Sequence, residues 1–183
     1  MLAILIGKTC SGKTSIADAL TRRGYKKIVT YTSRPKRKGE KDGVDYHFIP
    51  KEEFLQGIEA GFFMEYKTYQ VPNDEWYYGT SYDSLEKADN EDNYVIILTP
   101  KGYIDFLENC NIRHKSFYIY ANHKTILHRL KARKDNNDSI QRRIEHDDKD
   151  FKMAEYLVDK VVYNNNDDCL REVVEKIMGY MEK

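Results

Sequence analysis

The chain has 183 residues, enough for one sizeable core, and its 30 Lys and Arg balance its 30 Asp and Glu. Because the formal net charge is zero, no global electrostatic field draws it to nucleic acid or to a membrane surface. The cysteines (Cys10, Cys110 and Cys169) have neither metal-ligand nor disulfide spacing, so a reducing cytoplasm is the expected compartment. The apolar start, residues 1–6, ends at Gly7 and lacks the basic flank of a signal peptide and the length of a membrane span.

The first 32 residues have the pattern of one strand–helix–strand unit. Residues 2–7, LAILIG, form a continuous apolar run that ends in glycine, which predicts a strand buried on both faces of a parallel sheet. Residues 13–23 place Ile16, Ala19 and Leu20 on one helical face, and Gly24 ends that helix. A second strand is predicted at residues 26–32, KKIVTYT, which makes the unit a right-handed βαβ crossover.

The remaining chain predicts an insertion and then a return to alternating elements. Basic residues, glycine, proline and short aromatic alternations at residues 33–84 predict small antiparallel strands. Buried strands are then predicted at 93–99, 115–121 and 159–165, and helices at 102–108, at 123–134, from about 139, and at 167–183, the last with Asp167 or Asp168 as N-cap. Strands that alternate with helices indicate a three-layer α/β domain. We therefore predict a single domain with core segments 1–32, 85–133 and 158–183, an insertion at 33–84 and a lid region at 134–157.

The segment GKTCSGKT satisfies the pattern G-x-x-x-x-G-K-[ST] of a phosphate-binding loop. Its two glycines permit a backbone that turns successive N–H groups inward at a helix N-terminus. Lys13 supplies a point charge to the β- and γ-phosphates, and the Thr14 hydroxyl can ligate Mg²⁺. A glycine-rich turn could match by chance, but this motif follows a predicted buried strand and opens a predicted helix. We therefore predict that a nucleoside triphosphate binds to Gly7, Lys8, Thr9, Cys10, Ser11, Gly12, Lys13 and Thr14.

A second basic motif follows the predicted second strand. Residues 32–48, TSRPKRKGEKDGVDYHF, carry Arg34 and Arg37 three positions apart, flanked by lysines and followed by Tyr46. Two guanidinium groups and a phenol can enclose a phosphate, because guanidinium forks bind its oxygens bidentately. On charge alone, a solvated basic turn is the more common arrangement.

With both motifs in register, the chain resembles the guanylate kinase family of nucleoside monophosphate kinases. The family's T-x-R-x-x-R-x-G-E, followed by G-x-D-Y-x-F, is matched by Thr32, Arg34, Arg37, Gly39, Glu40, Gly43, Asp45, Tyr46 and Phe48. The resemblance extends along the whole chain. It implies an α/β three-layer P-loop NTPase fold with a parallel sheet, an inserted α+β monophosphate-binding subdomain and a helical lid. It also implies ATP- and Mg²⁺-dependent phosphorylation of GMP or dGMP to GDP or dGDP.

The resemblance assigns the acceptor side to residues of the insertion. It implies that Arg34 is catalytic and that the acceptor phosphate is held by Arg34, Arg37, Tyr46 and Tyr78, with Thr30 near it. Glu65 matches the family's guanine-reading carboxylate, and Thr80 stands where a serine commonly touches the base. A carboxylate can accept two hydrogen bonds from guanine N1–H and the 2-amino group, a pair that adenine does not offer. The alternative for Glu65 is an ordinary surface glutamate at a strand edge.

Several arginines near the predicted lid extend the resemblance to the donor side. Catalysis of phosphoryl transfer is mainly positioning and charge neutralisation. The resemblance implies that Arg133 and Arg143 contact the transferring phosphates, together with Arg129, and that Asn164 lies near the adenine. Arg129 and Arg133 share a helical face, so a lid could bring both over the phosphates. Without the resemblance, an ion-paired face on a surface helix is an equal alternative.

The sequence departs from the family by extra residues before Trp76, by a shortened lid loop and, most consequentially, at the end of the predicted strand 93–99. Where the family has Asp-x-Asp and then Gln-Gly, this chain has Ile97, Thr99, Lys101 and Gly102. The lost acidic residues normally assist base recognition and the metal's water shell, which leaves a different nucleotide or a sugar phosphate open as acceptor. A non-catalytic guanylate-kinase-like binding module is a further alternative, disfavoured by the intact phosphate loop. Small-molecule nucleotides are the expected partners of a monomer or homodimer, with no nucleic acid and no membrane.

Overall fold

The structure, a computed structural model, describes residues 1–71, 74–89, 92–132 and 137–182, and only the backbone of residues 137–143. The contacts divide the chain into two compact units. The first comprises Met1–Lys27, Asp92–Lys101 and Arg113–Lys183, and the second comprises Ile28–Glu91 and Gly102–Ile112. Within the described ranges, no helix combines the length and apolar character needed to cross a membrane.

The secondary structure follows in chain order. The strands are β1 (Leu2–Ile6), β2 (Lys26–Lys27), β3 (Tyr31–Thr32), β4 (His47–Phe48), β5 (Phe63–Val71), β6 (Asp74–Ser81), β7 (Tyr94–Ile97), β8 (His114–Tyr120) and β9 (Lys160–Tyr163). The helices are α1 (Lys13–Thr21), α2 (Lys51–Glu59), α3 (Tyr82–Glu86), α4 (Pro100–Asn109), α5 (His123–Ala132), α6 (Asn137–Asp150), α7 (Ala154–Leu157) and α8 (Leu170–Met181).

The first unit is built on a parallel sheet with the strand order β2-β7-β1-β8-β9. Strand β1 is central and all its residues are buried, as expected for an apolar run covered on both faces. Leu5 of β1 packs in one core cluster with Ile16 and Leu20 of α1 and with Val174 and Ile177 of α8. The predicted α/β fold with a parallel sheet is confirmed, and the end of β1 delivers the chain into the phosphate loop.

A smaller cluster fastens the helices that follow β8. Ala121, Ile126 and Leu130 are buried together, and Ile144 of α6 packs against them. The ring of Phe151, directly after α6, lies 6.3 Å from the ring of Tyr118 in β8. These apolar contacts hold α6 against the first unit, so that its polar residues have defined neighbours.

The second unit is a mixed sheet with the strand order β4-β3-β6-β5, covered by α2. Strands β5 and β6 form the predicted kind of antiparallel pair. Helix α2 is absent from the sequence prediction; it begins after Pro50, and Glu52 and Glu53 in its first turn favour the helix dipole. Its single fully buried residue, Phe54, stacks on Phe63 with ring centroids 4.2 Å apart. One anchor in nine residues is too weak a period to be recognised in the sequence.

Two local predictions are wrong. The segment 26–32 is not one strand, because Lys26 pairs with β7 in the first unit whereas Tyr31 pairs with Gly79 of β6 in the second. The apolar pattern continues through residues 26–32 without a break, so it gives no sign that the chain passes from one sheet to the other. The N-cap of α8 is Cys169, and Asp168 instead accepts a 2.6 Å hydrogen bond from the Asn165 backbone N–H.

Candidate active site

The phosphate loop, residues 7–14, joins β1 to α1 in a conformation that requires glycine at one position. Gly12 has φ 102° and Cys10 has φ 57°, both left-handed. A Cβ on Gly12 would lie 2.1 Å from Nδ2 of Asn164. The Gly12 carbonyl accepts the helical hydrogen bond of Ile16 N–H at 3.0 Å. Both the backbone angle and the close approach of Asn164 therefore exclude a side chain at Gly12.

Lys13, the first residue of α1, folds back over the loop. Its Nζ donates to the carbonyl oxygens of Gly7 at 2.6 Å and of Lys8 at 2.9 Å. The ammonium group is thereby held beside the loop backbone, where a phosphate group would receive its charge. Thr14 follows in the first helical turn with an exposed side chain.

Two residues predicted to bind ATP contact the loop carbonyls. Asn164 is buried, and its Nδ2 donates to the Ser11 carbonyl at 2.7 Å. Arg129 donates through Nη1 to the carbonyls of Cys10 at 3.1 Å and Ser11 at 3.2 Å, and burial lowers the pKa of its guanidinium. These contacts satisfy loop acceptors and leave the loop N–H groups to other partners. That Arg129 and Asn164 also touch ATP stays a prediction.

Two carboxylates of α6, which the sequence interpretation passed over, reach the same loop. Asp147 is 8% exposed, and its Oδ2 accepts a 2.6 Å hydrogen bond from the Thr9 N–H. The next residue, Asp148, pairs through Oδ1 with Nζ of Lys8 at 2.6 Å. The only signal was the acidic run EHDDKD in a helix expected to be a polar surface, and a charge run is usually solvated.

The remaining donor-side predictions have less structural detail. Arg133 lies outside the described residues, and for Arg143 only its backbone position in α6 is described. Ile97 is paired with Leu5 at the end of β7, so an apolar residue occupies the position of the family's first aspartate. In the part of the chain that the structure describes, no group of three or more His, Cys, Asp or Glu could hold a metal ion. A magnesium site here would use few protein ligands, as is usual when phosphates and water supply the others.

In the second unit, the Arg34 guanidinium is buried and forms a bidentate ion pair with one carboxylate. Its side chain is 3% exposed, and Nη1 and Nη2 donate to Oε2 and Oε1 of Glu40 at 2.8 and 2.9 Å. The backbone N–H of Arg37 donates to the same Oε2 at 2.7 Å. The Arg34 Nε is buried and has no hydrogen-bond partner among the residues that the structure describes. A buried donor of this kind gains most from an added acceptor, such as a phosphate oxygen.

Aromatic rings surround this guanidinium. Its carbon lies 5.3 Å from the centre of the Tyr46 ring, and the Tyr46 and Tyr78 rings lie 5.9 Å apart. Burial raises the pKa of the Tyr46 phenol, which therefore remains a neutral hydrogen-bond donor. The Arg37 side chain is exposed, and the Thr30 carbonyl accepts from the His47 N–H at 2.8 Å. The structure thus brings Arg34, Tyr46 and Tyr78 together.

Glu65 of β5 is a buried carboxylate held in place by a hydroxyl. It is 9% exposed, and its Oε1 accepts a 2.7 Å hydrogen bond from Oγ1 of Thr80 in β6. Its Oε2 lies 2.7 Å from the position that a Cβ on Gly102 would occupy, which is too close for a side chain there. Thr80 and Tyr78 are two residues apart in β6 and therefore point to the same face of the sheet. The interpretation of Glu65 as a surface glutamate is wrong, because the residue is buried.

The Arg34–Glu40 pair predicts an acid-sensitive contribution to folding. Burial alone would raise the pKa of Glu40, but hydrogen bonds from the Arg34 guanidinium and the Arg37 N–H outweigh it and hold the pKa below its usual value. Because the folded pKa is lowered, the stabilisation is present above the unfolded pKa and is lost as pH falls through the folded pKa. Glu40→Gln should reduce the free energy of unfolding at pH 7 by about 2 kcal/mol. It should also flatten the loss of stability in acid.

Urea unfolding followed by the fluorescence of Trp76, the single tryptophan, measures both effects. Glu53→Gln, on an exposed position in the first turn of α2, is the matched control and should reduce the free energy of unfolding by less than about 1 kcal/mol, with no added dependence on acid. An unchanged stability of Glu40→Gln at pH 7 would show that the pair contributes nothing to the fold.

Comparison with known proteins places these residues in a family context. A family model described as guanylate kinase matches residues 1–183. A guanylate kinase of Helicobacter pylori is 32% identical over 181 residues, which cover 96% of this chain and 85% of that protein. One of Wolinella succinogenes is 41% identical over 90 residues, covering 48% of this chain but only 40% of that protein. A crystal structure of guanylate kinase from Anaplasma phagocytophilum has a TM-score of 0.72 and 23% identity, covers 100% of this chain and 84% of that one, and shows a shared fold.

Proposed function

Because the chain belongs to the guanylate kinase family of nucleoside monophosphate kinases, we propose that it transfers the γ-phosphoryl group of ATP to GMP or dGMP. The observation that carries this proposal is the buried Glu65 carboxylate, which Thr80 orients on the sheet face that also presents Tyr78. A buried carboxylate is costly unless it is well hydrogen-bonded. A base with two adjacent donors would add hydrogen bonds to Glu65.

The donor is ATP, held by the phosphate loop. The backbone N–H groups of the loop bind phosphate oxygens, and Lys13, already beside the loop backbone, neutralises charge on the β- and γ-phosphates. The Thr14 hydroxyl, a hard oxygen ligand in the first turn of α1, would hold Mg²⁺, and the ion would supply neutralisation of phosphate charge. Arg133 and Arg143 are proposed to neutralise charge in the transition state.

The acceptor phosphate is bound by the cluster around Arg34. The unpartnered Nε–H of Arg34 supplies one donor, and the phenols of Tyr46 and Tyr78 supply two more. Arg37, whose side chain is exposed, adds a second positive charge, and Thr30 is proposed near the same phosphate. Glu40 occupies both Nη groups of Arg34, so it fixes the guanidinium before the substrate arrives.

The base is read by Glu65. Its Oε1 accepts from Thr80, and because a carboxylate offers about four lone-pair directions, it is suited to accept from guanine N1–H and the 2-amino group as well. Adenine has no donor at N1, so it would leave a buried carboxylate oxygen unpaired. The proposed preference is therefore guanine over adenine. We also propose that the reaction takes place in the cytoplasm, the compartment that the spacing of the cysteines predicts.

A different acceptor is the second candidate, and Ile97 is the observation that favours it. The family's first aspartate is replaced there by an apolar residue within β7. With fewer acidic groups at this position, the enzyme would select the base less strictly. The water shell of the metal would also have fewer hydrogen-bond acceptors.

A coupled assay of ADP release tests both candidates against GMP, dGMP, IMP, AMP, CMP, UMP and a sugar phosphate. GMP or dGMP should give the highest kcat/KM, and IMP, which lacks the 2-amino group, should be weaker. Turnover with another acceptor and none with GMP or dGMP would remove the first candidate. Absence of turnover with all of them, together with tight peptide binding, would favour the non-catalytic module.

The variant Glu65→Gln tests the base pocket directly. An amide loses one of the two acceptors, so KM for GMP should rise at least about tenfold while KM for ATP stays unchanged. Glu53→Gln, on the exposed face of α2, serves as the control and should leave both values unchanged. An unaltered preference for guanine in Glu65→Gln would show that another group reads the base.

A further inference from the structure

The contact between Asp147 and the phosphate loop has no role in the proposed reaction. Asp147 lies on α6, and its Oδ2 accepts the Thr9 N–H at 2.6 Å, across 138 residues of sequence. The carboxylate is almost fully buried. Thr9 belongs to the loop whose N–H groups are expected to bind phosphate oxygens, so an anionic oxygen already accepts from that loop.

The surroundings of this carboxylate resemble those expected for a bound phosphate. Burial raises the pKa of the Asp147 carboxyl, whereas the Thr9 N–H and the positive charges of Lys13 and Lys8 oppose the rise. The acidic groups nearby are Asp148, which is paired with Lys8, and the weakly acidic Tyr118 phenol of β8, whose pKa is raised to about 12. The Thr9 N–H thus donates to the carboxylate, and the positive charges of Lys13 and Lys8 stabilise it, as they would stabilise a terminal phosphate.

We propose that Asp147 is a built-in competitor of the triphosphate: its carboxylate and a phosphate oxygen of the donor compete for the Thr9 N–H and for the charge of Lys13. Donor binding then requires Asp147 to leave the loop, which weakens the apparent affinity for ATP and couples the position of α6 to occupancy of the loop. The inference rests on the proposed function only in taking a nucleoside triphosphate as the loop's ligand. The nucleotide that accepts the phosphoryl group takes no part in this competition.

A contact that only stabilised the packing of α6 on the loop would affect ATP binding differently. The apolar anchor of α6 at Ile144 is independent of Asp147, so the helix is held by packing as well. If the carboxylate only fastened α6, removing its charge would leave ATP binding unchanged or weaken it. If the carboxylate competes, removing its charge makes binding tighter, because two like charges no longer share one N–H group and one set of cations.

Isothermal titration of the full chain with ATP, with and without Mg²⁺, separates these cases. Asp147→Asn keeps the shape and a neutral acceptor for the Thr9 N–H, and it should lower the Kd for ATP by roughly tenfold. Tripolyphosphate, a probe without base or sugar, should show a similar gain. The matched control Asp148→Asn removes the exposed neighbouring charge and should change the Kd by less than about twofold.

Equal or weaker ATP binding by Asp147→Asn would overturn the proposal, and a loss confined to titrations with Mg²⁺ would identify the carboxylate as a metal-supporting group instead.

A second measurement needs no variant. Hydrogen exchange of the unmodified chain should show the amides around Asp147 exchanging faster when ATP or tripolyphosphate is added, while the phosphate loop becomes protected. Slower exchange at those α6 amides would also overturn it. Because neither experiment includes an acceptor, failure of GMP phosphorylation would leave both results interpretable.

Discussion

Lys13→Ala should lose at least about a thousandfold in kcat, with weaker ATP binding, because it removes the ammonium that donates to the loop carbonyls of Gly7 and Lys8. Alanine is compatible with the first turn of α1 and should leave that helix intact. Lys13 is assigned to the phosphates of the donor, so the affinity for GMP should not change. The coupled assay and separate titrations with ATP and GMP measure the three quantities.

Lys176→Ala is the control for this experiment. Lys176 is an exposed lysine of α8, and its removal should alter neither kcat nor either affinity. Activity above about a tenth of the parent value in Lys13→Ala would contradict the assigned role, since phosphoryl transfer depends on positioned charge. The melting temperature of the variant shows whether any loss comes from unfolding.

The second large effect is expected from the pair Gly102→Ala and Gly179→Ala. A Cβ on Gly102, in α4, would lie 2.7 Å from Oε2 and 3.0 Å from Cδ of Glu65, whereas a Cβ on Gly179, in α8, would meet nothing within 4 Å. Glu65 is buried and held by Thr80, so it can yield only by moving its carboxylate. Because that carboxylate is the end of a flexible side chain, the cost in folding is small while the loss in base recognition is large.

Gly102→Ala should therefore raise KM for GMP at least about tenfold and reduce the preference for GMP over IMP, with KM for ATP unchanged. Gly179→Ala should keep all kinetic values and gain about 0.5–1 kcal/mol in stability, because alanine replaces glycine within a helix without a clash. Steady-state kinetics with both nucleotides and urea unfolding provide the comparison. Equal increases in both KM values, or no change in KM for GMP, would show that Gly102 does not position Glu65.

Some of the candidate site could be predicted because its chemistry is encoded in neighbouring residues. The phosphate loop needs two glycines, a lysine and a hydroxyl within eight positions, and it follows an apolar strand, so the motif and its context are both local. Arg34, Glu40 and Tyr46 lie within one short segment, and their contact in the structure agrees with that spacing. Glu65 was assigned by the resemblance, and the structure shows that its side chain is buried.

Other features could not be predicted because they depend on long-range contacts. Asn164 and Arg129 reach the loop across 153 and 118 residues to the Ser11 carbonyl, and Asp147 reaches Thr9 across 138. No spacing rule relates such residues, since the sheet and its helices decide which side chains meet. The predicted strand at 26–32 failed for the same reason: its alternation is continuous, but its two ends pair with different strands.

The sequence by itself therefore indicated the chemical class of this protein: a phosphate loop on an α/β scaffold with a parallel sheet, which follow from residue types at short spacing and from hydrophobic periodicity. The roles proposed for the basic acceptor motif and for Glu65 came from the resemblance to the guanylate kinase family. Only the tertiary structure decided that the Thr9 N–H is met by a buried carboxylate of α6, and that Gly102 leaves space for Glu65. Both depend on the packing of distant segments, where burial and an ångström of clearance determine which groups can interact.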